Sequence, residues 1–168
     1  MSYAYLIIGL VCAQRLAETV YGRANAQRLI AAGGREHGAG HYPLIVAVHV
    51  AFLACLAVAV PADAPISAPF LGTFIGLQAA RVWMMAALGR YWTTRIITLP
   101  GAPLIKTGPY RYLRHPNYWI VAGEIATLPA IFGAYGIALA FTLLNGIVLG
   151  IRIRAENAAL ADRRDIMA

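Results

Sequence analysis

PNYWIVAGEIATLPAIFGAYGIALAFTLLNGIVLGI, running from Pro116 to Ile151, is apolar almost throughout and far longer than the roughly 20 residues that cross a bilayer as one helix. At its centre Phe132-Gly133-Ala134-Tyr135-Gly136 carries two glycines, residues that let a chain reverse. The stretch therefore reads as two antiparallel helices in a tight hairpin with slightly short arms. Working outward, apolar runs of comparable length occupy about Tyr3–Tyr21, Pro43–Val60 and Ile66–Leu88, with the turn Pro61-Ala-Asp63-Ala-Pro65 between the last two. The pattern predicts an all-α integral membrane protein of about five transmembrane helices, folded as a single domain over residues 1–168.

Composition supports this reading. Of 168 residues 60% are hydrophobic and only 12% charged, and the mean hydropathy is +0.64. A soluble domain of this size cannot hide so much apolar surface. The formal charge of +7 points toward nucleic acid only until the charges are placed. Arg23, Arg28 and Arg35 fall in segment 22–42. Arg90, Arg95, Lys106, Arg111 and Arg114 fall in 89–115, and Arg152, Arg154, Arg163 and Arg164 in the tail. The turns 61–65 and 132–136 hold none, so an excess of basic residues on the cytoplasmic side predicts N-terminus out, C-terminus in, and no nucleic-acid partner. No basic n-region or small-residue cleavage site is present, which predicts no removable signal peptide. Cys12 and Cys55 lie in apolar runs and read as buried, inert thiols, with no metal site.

Arg15 and Arg81 interrupt helices one and three, where ionisable side chains are costly. With Gln14, Glu18, His49, Gln78, Glu124 and Asn145 they fall toward the cytoplasmic half. That placement suggests a polar pocket open to the cytoplasm; the alternative is interhelical pairing, as between Arg15 and Glu18 on one helix face. A second polar concentration precedes the hairpin. Pro116 suits a first helical position, and the amides of Asn117 and Tyr118 behind it are helix-start donors that attract an anion, with Arg114 and His115 alongside. An interfacial Arg/His/Tyr anchor fits the same residues equally well on local physics.

Gly108-Pro-Tyr-Arg-Tyr-Leu-Arg-His-Pro-Asn-Tyr118 resembles the Gly-x-Tyr…Arg-His-Pro-x-Tyr signature of the isoprenylcysteine carboxyl methyltransferase superfamily. Arg152-Ile-Arg-Ala-Glu156, expected after the last helix, resembles its Arg-x-x-x-Glu element. The resemblance is firm over about 89–160, which it marks as the cofactor-binding part. It implies S-adenosyl-L-methionine as cofactor, contacted by Ala102, Pro103, Leu104 and Ile105 largely through backbone, and by Tyr110, His115, Pro116, Asn117, Tyr118 and Glu156. Arg152 would face the methyl acceptor as the catalytic residue. Arg95 stands where the eukaryotic enzymes have a cofactor-contacting Gln, and is assigned to the substrate with Arg152; Ala102 replaces a His of those enzymes.

Gly40-His41-Tyr42-Pro43 and Trp92-Thr93-Thr94-Arg95-Ile96-Ile97-x-Leu99-Pro100-Gly101 resemble a bacterial branch associated with type III polyketide synthases, which O-methylates alkylpyrones or alkylresorcinols. The implied partners are a lipophilic small-molecule acceptor, membrane lipids and a polyketide synthase working alongside. A hydroxypyrone arrives largely ionised and needs a cation, whereas a resorcinol, with a pKa near that of Tyr (about 10), needs a base. The candidates for a base are His115, His41 and Glu124. Rival readings are carboxyl methylation of a prenylated cysteine, phospholipid N-methylation, an NADPH-dependent sterol-type reductase and a membrane adaptor.

Overall fold

A computed structural model describes residues 2–102 and 105–160. Five helices form: α1 (Tyr3–Ala31), α2 (Tyr42–Ala59), α3 (Ala68–Leu88), α4 (Pro116–Ala130) and α5 (Tyr135–Ala159). Three of them, in the segments Ala39–Ala59, Ala68–Tyr91 and Tyr135–Ala159, are long and apolar enough to cross a membrane. The hairpin reading holds, with unequal arms: 15 residues in α4 and 25 in α5. Gly133, at φ +71°, makes the reversal between them.

The fold departs from the sequence expectation in several places. α1 continues past Tyr21 to Ala31, because Gly22, Asn25, Ala26 and Leu29 recur at helical spacing and are buried while Arg23 and Arg28 stay exposed. α5 runs to Ala159, so Arg152 and Glu156 lie within the last helix rather than after it. The fold is not wholly helical: β1 (Arg35–His37) pairs antiparallel with β2 (Ile96–Thr98), Glu36 opposite Ile97. Cys12 and Cys55 are free and exposed on the apolar outer surface rather than buried.

The turns sort by end. Ser2, whose hydroxyl caps α1, donates to Ala62 O at 2.5 Å, and the Ser67 amide donates to Ile131 O at 2.8 Å. Both charge-poor turns therefore meet at one end of the bundle, over a core in which Leu56, Leu128 and Ile131 pack against Ile8, Phe52 and Phe74. A smaller cluster, Met84, Trp92 and Ile120, lies toward the other end. Outward-facing Val58, Leu139, Leu143 and Ile147 are exposed, as suits a surface in contact with lipid.

The polar residues inside the bundle close on one another. Arg81 gives Nε to Glu124 Oε1 at 2.8 Å, pairs through Nη2 with Glu124 Oε2, and reaches Glu18 through Nη1 at 3.2 Å. Arg15 bridges Glu18 at 2.7 Å and Glu124 at 2.9 Å, while Gln14 and Gln78 fill the remaining positions. In place of the expected open pocket there is a charge-balanced lattice joining α1, α3 and α4. Glu124, thus engaged, is no base for chemistry elsewhere. Removing one member of such a buried set strands its partner. Glu124→Leu is expected to cost about 3–5 kcal/mol. Arg81→Met combined with Glu124→Leu removes one charge of each sign, leaves Arg15 with Glu18, and should recover most of that loss. Thermal unfolding of the detergent-purified variants measures both.

Candidate functional site

Because α4 is shorter than its antiparallel neighbour, the final turns of α5 stand beyond the start of α4. A cavity of about 590 Å³ fills this step, within the range of ligand sites. Its walls come from α4 (Asn117, Tyr118, with His115 before it), α5 (Arg152, Glu156, with Leu160 after it), the strap 91–99, and Ala102, Ile105, Lys106, Tyr110, Arg111 and Arg114, with Leu29 of α1 and Leu88 of α3 beside them.

Arg152 and Glu156 are four apart on α5 and so share a face. Between them lies the Tyr118 hydroxyl, accepting from Arg152 Nε at 3.2 Å and donating to Glu156 Oε2. Arg152 Nη2 donates to the carbonyl of Thr94 at 2.8 Å, tying the helix to the strap. The His115 ring stacks on Tyr118 at 5.4 Å, with Nδ1 3.5 Å from Glu156 Oε1 and Nε2 3.3 Å from Asn157 Oδ1. Burial, and secondarily the charge of Glu156, pushes the Tyr110 phenol above its ordinary range. Tyr110 is therefore neutral near pH 7 and keeps its proton to donate.

The strap is held from behind by residues that sequence reading missed. Asn25, fully buried on α1, donates to the Trp92 carbonyl at 2.9 Å. Gly22 admits the strap so closely that a Cβ there would lie 3.0 Å from the Trp92 ring and 3.1 Å from the Thr94 nitrogen. The burial spacing of residues 22, 25, 26 and 29 carried the signal, masked by the intervening arginines. Arg95 lines the cavity, but it is engaged by Glu36, at 2.9 and 3.0 Å, and lies over the Tyr42 ring at 4.8 Å. Tyr42 also meets the Thr94 hydroxyl at 3.1 Å.

Most of the expected cofactor contacts come together. Ala102, Ile105, Tyr110, His115, Asn117, Tyr118 and Glu156 line the cavity, as does Arg152. Pro103 and Leu104 lie outside the described residues. Pro116 is buried as the first residue of α4. His41, weighed as a base, is not on the wall. One expectation is corrected: the Tyr118 amide donates to His115 O at 3.1 Å, since the helix opens with a tight turn. That leaves the Asn117 amide, rather than a pair, for a ligand. Asn117 adds something unforeseen: its side-chain Oδ1 is buried without a hydrogen-bond partner among the described residues. Such an atom calls for a donor, and the ammonium of a bound amino-acid moiety supplies one. With Glu156 as acceptor for ribose hydroxyls, the wall fits the methionine and ribose parts of S-adenosylmethionine.

The model of the isoprenylcysteine carboxyl methyltransferase family matches residues 70–162. Uncharacterized protein YpbQ of Bacillus subtilis (strain 168) is 36% identical over 162 residues, covering 94% of this chain and 96% of that protein. An uncharacterized protein of Haemophilus influenzae is 27% identical over 140 residues, covering 79% of this chain and 80% of its own length. No solved structure matches.

If the cavity takes the cofactor as its wall suggests, Asn117→Ala, His115→Ala and Glu156→Ala should each weaken S-adenosylhomocysteine binding about tenfold or more, or about 1.4 kcal/mol. Calorimetric titration in detergent reads this. Asn117→Ala should leave the unfolding temperature unchanged or raise it, because it deletes an unsatisfied buried acceptor.

Proposed function

The chain belongs to the isoprenylcysteine carboxyl methyltransferase family, and on that premise we propose that it is an S-adenosylmethionine-dependent O-methyltransferase of the cell membrane, acting on an alkylpyrone or alkylresorcinol. The observation that carries the reading is the position of Arg152. α5 brings a guanidinium into the cavity wall within reach of the residues suited to the cofactor, where it can face an anionic oxygen. The remaining charges of the wall agree: Arg95, Lys106, Arg111 and Arg114 are basic and, among the described residues of the wall, Glu156 alone is acidic. Leu29, Leu88, Trp92, Ile96 and Leu99 supply apolar surface for a ring and the first carbons of a tail.

The cofactor supplies an electrophilic methyl group. The chain's own residues hold the acceptor oxygen in line with it, and alignment of this kind accounts for much of the rate. Arg152 stabilises the oxygen's negative charge, anchored by Thr94 and Tyr118 so that its fork is already oriented. Tyr110, neutral and a donor, faces the same space. A carboxylate on a prenylated cysteine also presents an anion on a lipid tail, and would use the same arginine.

Lengths and charges support the membrane placement in this reading. α1, at 29 residues, is about 43 Å long, and α4, at 15, about 22 Å. With the three apolar helices they make five membrane-embedded helices, α4 stopping short where the cavity begins. The basic end faces the cytoplasm and the two charge-poor turns face out. In a background with Cys12 and Cys55 replaced, cysteines at Asp63 and Ala134 should react with an impermeant maleimide in intact cells, and one at Arg111 should react only after lysis. Labelling of Arg111→Cys from outside reverses the orientation.

Arg152→Ala should lower methyl transfer several hundredfold or more, since a charge-assisted contact at the reacting oxygen is worth roughly 3–4 kcal/mol in a water-excluded site. S-Adenosylhomocysteine affinity should stay within about threefold. Arg152→Lys should recover part of the rate, because one ammonium cannot reproduce the guanidinium fork. Turnover of both acceptors followed by mass spectrometry is the test; native rates in Arg152→Ala would remove Arg152 from the chemistry.

A further inference from the structure

The Tyr118 hydroxyl stands at the cavity wall with a charged partner on each side. One lone pair of its oxygen is taken by Arg152 Nε, and its hydrogen is given to Glu156. A phenol oxygen has a second lone pair, and nothing among the described residues occupies it. The far oxygen of Glu156 lies 3.5 Å from His115 Nδ1. On the other side of the ring His115 Nε2 faces Asn157 Oδ1 at 3.3 Å, so the imidazole stands between two acceptors and either ring nitrogen can carry a proton. Tyr118 is 7% exposed, whereas the side chains of His115 and Glu156 are 15% and 27% exposed, so the series runs from a dry position to wetter ones.

Resting on the reading that the acceptor is a hydroxylated ring with a lipid tail, we infer that Tyr118 is a further catalytic residue, which relays the proton of the acceptor hydroxyl through Glu156 and His115 to water. The acceptor oxygen forms its bond to the methyl carbon as the carbon–sulfur bond breaks, and that electron pair remains on sulfur. The acceptor's proton moves to the Tyr118 oxygen as the Tyr118 proton moves to the Glu156 carboxylate. Glu156 then returns to its ionised state by passing that proton to His115 Nδ1 and on to water. The positive charge lost from sulfur leaves as one released proton, and Tyr118 ends the cycle as a phenol.

The charged and titratable groups around this path are few. Arg152 and Glu156 face Tyr118 from α5, His115 stacks on it from the start of its own helix, and the charge of Glu156 also reaches Tyr110. Arg152 stabilises any negative charge that gathers on the Tyr118 oxygen while the two protons move. A relay of this kind matters for a resorcinol, whose hydroxyl is protonated at neutral pH, and adds little for a hydroxypyrone that arrives ionised.

The test uses the full-length purified protein, a resorcinol and a hydroxypyrone bearing the same alkyl chain, and S-adenosylhomocysteine titration. In the native protein the resorcinol rate should level off near neutral pH; a rate that climbs about tenfold per pH unit toward the ionisation of a phenol, about 10, overturns the relay. In Tyr118→Phe the resorcinol rate should fall at least about a hundredfold more than the hydroxypyrone rate, and should then rise with pH. Equal losses on the two acceptors, or no loss, overturn the relay. S-Adenosylhomocysteine affinity within about threefold of native separates a proton-transfer role from cofactor binding, and a loss of more than about tenfold assigns the hydroxyl to the cofactor and overturns the relay. Native protein that binds S-adenosylhomocysteine yet methylates neither acceptor refutes the acceptor reading itself, and the relay falls with it.

Discussion

Four charges that neutralise one another inside the bundle determine where everything else sits. Glu18 and Arg15 on α1 meet Arg81 on α3 and Glu124 on α4, each carboxylate shared between two guanidiniums. In a low-dielectric interior such a set tolerates little displacement, because moving one helix leaves charge uncompensated on another. α1 is therefore fixed in depth and rotation against α3 and α4. Its continuation to Ala31 carries that registry out of the bundle, where Gly22 and Asn25 grip the strap at Trp92 and Thr94. The Thr94 carbonyl in turn holds Arg152. The position of the arginine in the cavity is linked, contact by contact, to an ionic lattice that never touches the cavity.

The sequence makes some of this legible and hides the rest for definable reasons. The α4–α5 hairpin could be read because an overlong apolar run needs a break and Gly133 with Gly136 supplies one. The motif around His115 could be read because side-chain identities carry it. The extension of α1 was obscured by Arg23 and Arg28, which look like a flank until the buried face between them is traced. The strands β1 and β2 are three residues each, too short for alternation to register, and their pairing depends on two segments far apart in the chain. Six of the polar residues expected together do meet, Gln14, Arg15, Glu18, Gln78, Arg81 and Glu124, but residue type does not distinguish a cavity lining from a set of mutual partners. The hold on Arg152 is partly a backbone carbonyl, to which a search for side-chain motifs is blind.

The matched family segment begins at residue 70, inside α3, yet parts of the site environment lie before it. β1 pairs with the strap through Glu36 and Ile97, Tyr42 braces Thr94, and Leu29 closes one side of the cavity. The segment that carries the motif residues supplies most of the wall, and the chain before it adds Leu29 and braces the strap from behind through Asn25 and Tyr42.

The pairing of Arg15 with Glu18 has a further meaning when the order of synthesis is considered. α1 leaves the ribosome and meets the insertion machinery before α3 or α4 exists, so neither Arg81 nor Glu124 is present to receive its charges. An isolated charge in the middle of a nascent helix carries an insertion penalty of several kcal/mol. Three residues apart on one face, Arg15 and Glu18 form their own ion pair at 2.7 Å, and α1 brings its counter-charge with it. In the finished bundle the same pair is kept and extended to Glu124 and Arg81. The pair that ties α1 into the folded bundle also gives that helix a counter-charge of its own before its later partners are made.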